Sequence, residues 1–333
     1  MKMAWLLCAT LFVGAGCSSG EKRNDEPDQL KPVTPQLPAA TSLDDAEHTG
    51  LKDLRATRLG VASPDRLVLA GDWLWAKLDD GRVARIDPTA LKVESYVETG
   101  YDDLPACLTV GVHQDDIWVC AGENQVTRID SATAKAEEPV EMSYLGDETR
   151  FPSVGDRLWA IAADGETLVG RSEPGSDDAV EIDLGGICTD VNGTGRTVWL
   201  ACPTDGRVLA VDIDKKRVVA DLRLDDPRQV AVSDDEVWVG TAAGVVSLDP
   251  ESSKVTGLYD VSPGLGGAIW ATGDTVWVRS EDPFLTQIDP ASRRVVRVVE
   301  APDLPSGGDV VSDGTSVWVS AYDDGTVVRL PAG

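Results

Sequence analysis

Residues 229–239 read Gln229-Val230-Ala231-Val232-Ser233-Asp234-Asp235-Glu236-Val237-Trp238-Val239. Two short runs rich in apolar, β-branched side chains flank a polar Ser-Asp-Asp turn, which is the pattern of an antiparallel hairpin and not of a helix. The chain turns again and continues as Gly244-Val245-Val246-Ser247-Leu248-Asp249, a third strand, with counterparts at Arg82–Asp87 and Gln125–Asp130. Asp249-Pro250 ends it, as Asp87-Pro88 and Asp289-Pro290 do elsewhere. Proline cannot donate to a sheet ladder, so each Asp-Pro step marks a turn. A fourth strand comes after such a turn, as in Arg294-Val295-Val296-Arg297-Val298-Val299.

The tryptophan of this stretch keeps a register along the chain. Trp75, Trp118, Trp159, Trp199, Trp238, Trp277 and Trp318 are separated by 43, 41, 40, 39, 39 and 41 residues. Four antiparallel strands in a unit of about 40 residues, repeated seven times, predict an all-β fold: a seven-bladed β-propeller. The ends of the repeat suggest how the ring closes. The seventh unit stops after its third strand, Thr326–Leu330, while Leu54–Val61 reads as a fourth strand with no unit ahead of it. Docking that N-terminal strand on the last blade removes an open edge. An open solenoid would need caps at both ends, and none stands out.

The first residues are of another kind. Lys2 precedes an apolar stretch, Ala4–Val13, which is too short to span a bilayer and has the size of a signal-peptide core. Gly14-Ala15-Gly16-Cys17, followed by Ser18-Ser19-Gly20, resembles the bacterial lipoprotein signal, although Gly14 stands where that family usually has a larger apolar residue. The resemblance implies removal of residues 1–16, lipidation of Cys17 and an address in the cell envelope, on the extracytoplasmic side of a membrane. Ordinary secretory cleavage is the alternative. Residues 17–50 are polar and broken by Pro27, Pro32, Pro35 and Pro38, a composition expected of a flexible tether. Residues 51–333 then form the propeller.

The 333 residues hold 57 Asp and Glu against 30 Lys and Arg, a net charge of −27. Residues 51–333 account for −24 of it, so the acidity belongs to the ring. Such a surface repels phosphates, which argues against a nucleic-acid partner and leaves a lipid anchor as the only expected membrane contact. The two histidines, His48 and His113, leave little material for imidazole catalysis or His-rich metal sites. Of six cysteines, Cys8 falls in the signal and Cys17 is assigned to lipid. Cys107 and Cys188 each lie 11 residues before their unit's Trp, and Cys120 and Cys202 lie two and three residues after theirs. First and second strands are antiparallel neighbours, so this spacing predicts disulfides Cys107–Cys120 and Cys188–Cys202, which an oxidising compartment permits. No Cys-x-x-Cys motif favours a metal or redox role instead.

Candidate site residues come from aligning the units on Trp. The positions ten and nine residues earlier include Asp65, Arg66, Arg150, Asp190, Arg228 and Asp309. They fall at the start of the first strands, on the face that also bears the turns between second and third strands. Two readings stay open: a polar pocket at the channel mouth for a small polar or anionic ligand or a peptide, or an inter-blade belt of salt bridges. The same face holds Asp79-Asp80-Gly81, Asp164-Gly165, Asp205-Gly206 and Asp323-Asp324-Gly325. These read as tight hairpin turns with both central residues at positive φ, since the alternating acidic spacing of a calcium loop is missing.

Val237-Trp238-Val239, Val317-Trp318-Val319 and Gly325-Thr326-Val327-Val328-Arg329-Leu330 resemble bacterial YVTN-type and streptogramin-lyase-like propeller repeats over residues 54–331. Propellers host unrelated functions, so the resemblance speaks to fold more than to activity. Streptogramin lyases use a histidine base with a metal, and His113, expected in a turn on the opposite face, does not match that role. The expected function is therefore a membrane-anchored binding or scaffold module without cofactor, monomeric, whose partner is an envelope protein, peptide, glycan or small polar ligand. The alternative is a metal-dependent lyase or lactonase-type hydrolase at the channel mouth. Only that alternative calls for a divalent metal, with a carboxylate set from Asp65, Asp190 and Asp309.

Overall fold

The computed structural model describes residues 30–99, 108–122, 124–143 and 150–333. The lipoprotein signal, Cys17 and Cys107 lie outside them. Seven antiparallel sheets are arranged as blades around a central channel. Blade four runs outward from the channel as Asp190–Thr194, Thr197–Cys202, Arg207–Asp212 and Arg217–Arg223. Blade five repeats it as Gln229–Val232, Val237–Thr241, Gly244–Leu248 and Val255–Tyr259. The helical content among the described residues is two single 3₁₀ turns, Leu51–Asp53 and Pro203–Asp205. No helix there is long and apolar enough to cross a membrane.

The repeated tryptophan has a common task. Each of the seven lies on its blade's second strand and is at most 6% exposed. The hydrophobic core is divided into seven clusters, each between two neighbouring blades. In every case the Trp packs toward the next blade: Trp199 joins Val230, Val237 and Val246 of blade five, and Trp318 joins Leu67, Leu74 and Ala84 of blade one. A large flat side chain at each interface fills the wedge that opens as blades diverge from the channel. That is why the register spans all seven units.

The turn between third and fourth strands also repeats. Asp87, Asp130, Asp212, Asp249 and Asp289 each accept backbone N–H groups two or three residues on, for example Thr89 N at 2.8 Å and Ser252 N at 2.7 Å. Four residues after each Asp the backbone is left-handed, at Leu91, Ala134, Lys216, Ser253 and Arg293. The Asp carboxylate, more than the proline beside it, shapes this turn. Bulges at Arg85/Ile86, Ala210/Val211, Ser247/Leu248 and Gln287/Ile288 stand just before the turn and add twist to the outer strands. In the Asp-Gly hairpins Gly81 and Gly165 have positive φ but the aspartates do not, so these turns differ from the expected type with two left-handed residues.

Closure follows the expected route. Thr57–Gly60 pairs antiparallel with Thr326–Pro331 and supplies the fourth strand of blade seven. The chain ahead of it departs from the expectation of a tether extending to residue 50. Val33 bridges to Leu222 on blade four's outer strand and Thr41 to Tyr259 on blade five's, both in parallel. Glu47–Gly50 then pairs parallel with Arg297–Glu300 of blade six. Residues 33–50 thus form a strap that steps from one outer edge to the next, held by bonds such as Val33 N to Asp221 O (2.9 Å) and Thr41 N to Leu258 O (2.8 Å). The strap's backbone satisfies edges that would otherwise be open, which a polar, proline-broken segment can do without apolar side chains.

Candidate functional site

The channel mouth is built by the lead-ins to the first strands. In blade three that strand is split by Pro152. Arg150–Phe151 pairs parallel with Val110–Gly111 of blade two, and Ser153–Val154 returns to its own blade. The close approach is possible because Gly111 has no side chain: a Cβ there would overlap the Phe151 carbonyl oxygen. This shift carries Arg150 over the channel, where its Nη2 is ion-paired with Asp309 Oδ1 of blade seven.

Asp309 is fully buried and has further partners. Its Oδ2 accepts Leu67 N of blade one at 2.9 Å and its Oδ1 accepts Val310 N at 2.9 Å. Asp190 does the same at the junction of blades four and five, accepting Val230 N of blade five at 2.7 Å. Both aspartates stand nine residues before their Trp and bond a residue eight before the next Trp, so one register position staples neighbouring blades. Asp190 is partly buried and borders a cavity instead of bulk water. Desolvation there pushes its pKa up to about 6, against the opposing pull of the Val230 N–H, Arg66 and Arg150.

That cavity, of about 230 Å³, is the meeting point of the candidate residues. Arg66, Arg150, Asp190 and Arg228 line it together with Thr189, Pro203, Val230, Leu265 and Ile269. Arg228 turns Nε to Asp226 Oδ2 at 2.8 Å and is about two-fifths exposed. A second cavity of about 210 Å³ shares Arg228, Gln229 and Leu265 with the first and continues outward past Asp226, Thr241 and Ser262. Leu265 is 69% exposed at the junction of the two. Asp65 does not line either cavity; it sits nearer Tyr322, whose phenol it helps to hold above its usual pKa after burial and Asp79. Asp309 lies behind Arg150 and not in the cavity wall. Asp190, Asp309 and Arg150 thus form inter-blade ties, and Arg66, Arg150 and Arg228 come together at one opening.

The Cys188–Cys202 disulfide is present and frames this opening, since Thr189 and Pro203 beside it are wall residues. Cys120 is also disulfide-bonded; Cys107, with which it is expected to pair, lies outside the described residues. His113 ends the first strand of blade two, buried, with Nδ1 at 2.7 Å from Ser153 Oγ and Nε2 at 3.0 Å from Ser172 O, a tie between blades two and three.

Two buried cations were not anticipated. Lys77 donates to Gly81 O at 2.7 Å, and burial lowers its pKa to about 8. Arg279 donates to Phe284 O at 3.0 Å and Ser320 O at 3.3 Å, stacks 4.2 Å from the Phe284 ring centroid, and is lowered to about 10 by burial. Both stand two residues after a unit Trp, so the same alignment applied past the Trp finds them. They satisfy loop carbonyls and do not face the cavity.

A divalent ion held jointly by Asp65, Asp190 and Asp309 does not fit this arrangement. The three aspartates proposed as ligands do not converge: one is tied to Arg150 and two backbone amides, one to Val230 N, and one lies apart. Among the described residues no group of three or more His, Cys, Asp or Glu side chains is placed to hold a metal ion.

No protein-family profile matches the sequence, and no curated protein matches it. Solved structures do match in fold. The β-propeller domain of Cps50 (Swd1) from Myceliophteria thermophila is 13% identical with TM-score 0.62, covering 84% of this chain and 100% of that one. BamB from Moraxella catarrhalis is 12% identical with TM-score 0.57, covering 83% and 98%. U3-55K is 12% identical with TM-score 0.63, covering 85% and 99%. At these identities the likeness concerns the fold alone.

Proposed function

We propose that the chain is a lipid-anchored propeller of YVTN-type repeats on the extracytoplasmic side of a bacterial membrane, which binds an envelope protein or peptide at its channel mouth and acts as a scaffold without chemistry of its own. The observation behind this reading is the convergence of Arg66, Arg150 and Arg228 on one cavity rimmed by exposed Leu265, in a chain whose net charge is −27. Three guanidinium groups against the one carboxylate of Asp190 in the cavity lining favour an anionic group of a partner. The Cys17 signal and the disulfides suit an exported, anchored protein. On the described residues the segment between anchor and ring is short, because the strap begins at Val33.

A photo-crosslinking residue placed at Leu265 should form a protein adduct in intact cells, whereas one at Val219, on blade four's outer strand, should not. Arg228→Glu should reduce the Leu265 adduct. Equal adducts at both positions, or none at Leu265, would contradict the assignment. Palmitate labelling of the wild type that is lost in Cys17→Ser is expected; no labelling of the wild type would remove the lipid anchor from the assignment.

A further inference from the structure

We infer that the ligand group received at the channel mouth is the C-terminal carboxylate of a polypeptide ending in an apolar residue. This inference rests on the binding function proposed for the channel mouth and adds the chemistry of the bound group. The cavity has two kinds of lining. In the polar lining the guanidinium groups of Arg66, Arg150 and Arg228 outnumber the Asp190 carboxylate, and Val230, Leu265 and Ile269 supply hydrocarbon. A guanidinium fork matches a carboxylate in geometry and charge, and charge-assisted bonds of this kind are the stronger ones. The apolar lining leaves room for a side chain beside that carboxylate.

Size narrows the ligand further. A volume of about 230 Å³ is below that of ordinary drug-sized sites and suits a single amino-acid residue. The acidic exterior repels polyanions, so an incoming group bearing one negative charge is favoured over a phosphate-rich chain. The second cavity, joined to the first at Arg228, Gln229 and Leu265, offers the next residues of an extended chain a path outward. A free amphipathic carboxylate would fill the first cavity and leave the second unused. Capture of a chain terminus by its carboxylate is a known mode of peptide recognition.

The test titrates the full-length chain in detergent with fluorescent hexapeptides ending in Val, Leu, Ile or Phe, each as the free acid and as the C-terminal amide, with hexanoate as competitor. At least one free acid should bind, and its amide should bind about tenfold more weakly. Arg228→Gln should cost the acid about tenfold and leave the amide unchanged, and Leu265→Ser should weaken both. Neither residue supports the core, so both variants should retain the wild-type melting temperature. Equal binding of acid and amide would overturn carboxylate recognition while leaving a peptide site. Displacement by hexanoate as effective as by free peptide would overturn the chain-end assignment in favour of a free carboxylate. Absence of binding by every acid, with the Leu265 crosslink still formed in cells, would overturn this inference and leave the binding function standing.

Discussion

Replacing Arg150 by methionine tests the channel geometry. The substitution keeps an unbranched stem of similar bulk and removes the guanidinium facing Asp309, whose side chain is fully buried. Removing one partner of a buried ion pair costs about 3–5 kcal/mol, because the remaining charge is stranded. Two backbone amides, Leu67 N and Val310 N, still bond Asp309, which places the expected loss near the lower end, about 3 kcal/mol. For a domain of this size that corresponds to a melting temperature lower by about 6 °C. Arg228→Met is the matched control: its partner Asp226 and Arg228 itself are each about a third or more exposed, and such pairs contribute about 1 kcal/mol or less. Unfolding is followed by tryptophan fluorescence, which reports the blade interfaces because seven of the ten tryptophans lie there. Adding Asp309→Asn to Arg150→Met should recover part of the loss, since no buried charge then remains. If Arg150→Met matches Arg228→Met, or the double variant loses the sum of the single effects, the cross-channel pair is not a tie in the ring.

Asp190 has a folded pKa raised to about 6, so its ionisation opposes folding: its penalty is absent below its unfolded pKa, grows as pH rises, and is complete above about 6. Asp190→Asn should therefore gain stability relative to the wild type between about pH 4 and pH 6, by at most about 3 kcal/mol, and an unchanged difference across that range would refute the assignment. Gly111→Ala should destabilise by about 2–3 kcal/mol by driving a methyl group into the Phe151 backbone, whereas Gly60→Ala, with open space around it, should be neutral in the same denaturation assay. Hydrogen exchange should show protected amides at Val33 and Thr41, which are bonded to Asp221 O and Leu258 O; exchange of both at the unprotected rate would show that the strap is not seated.

Much of the fold was legible because one large side chain, the second-strand Trp, recurs at every blade interface and fixes both the unit and the count. Closure by Thr57–Gly60 could be read from an unmatched strand at each end. The strap could not: Val33, Thr41 and Glu47–Gly50 pair through backbone groups, which leave no side-chain period behind. Nor could the split strand of blade three, where Gly111 and Pro152 act together across two blades. At the mouth, alignment on Trp brought Arg66, Arg150, Asp190 and Arg228 to one cavity because equal register means equal height along the channel. Asp65 and Asp309 do not line that cavity, since register does not fix the direction in which a side chain turns, and the alignment did not point to Leu265, which precedes the first strand of blade six outside the aligned positions.

The assembly state of the native protein tests the central claim most directly. Extracted from envelopes in mild detergent and measured by native mass spectrometry, the processed chain should occur in a complex larger than the 35.4 kDa of the whole sequence. Arg228→Glu combined with Leu265→Asp should release it as a monomer, and Val219→Asp should leave the complex intact. A complex that survives the double substitution, or that Val219→Asp dissolves, would contradict a binding site at the channel mouth.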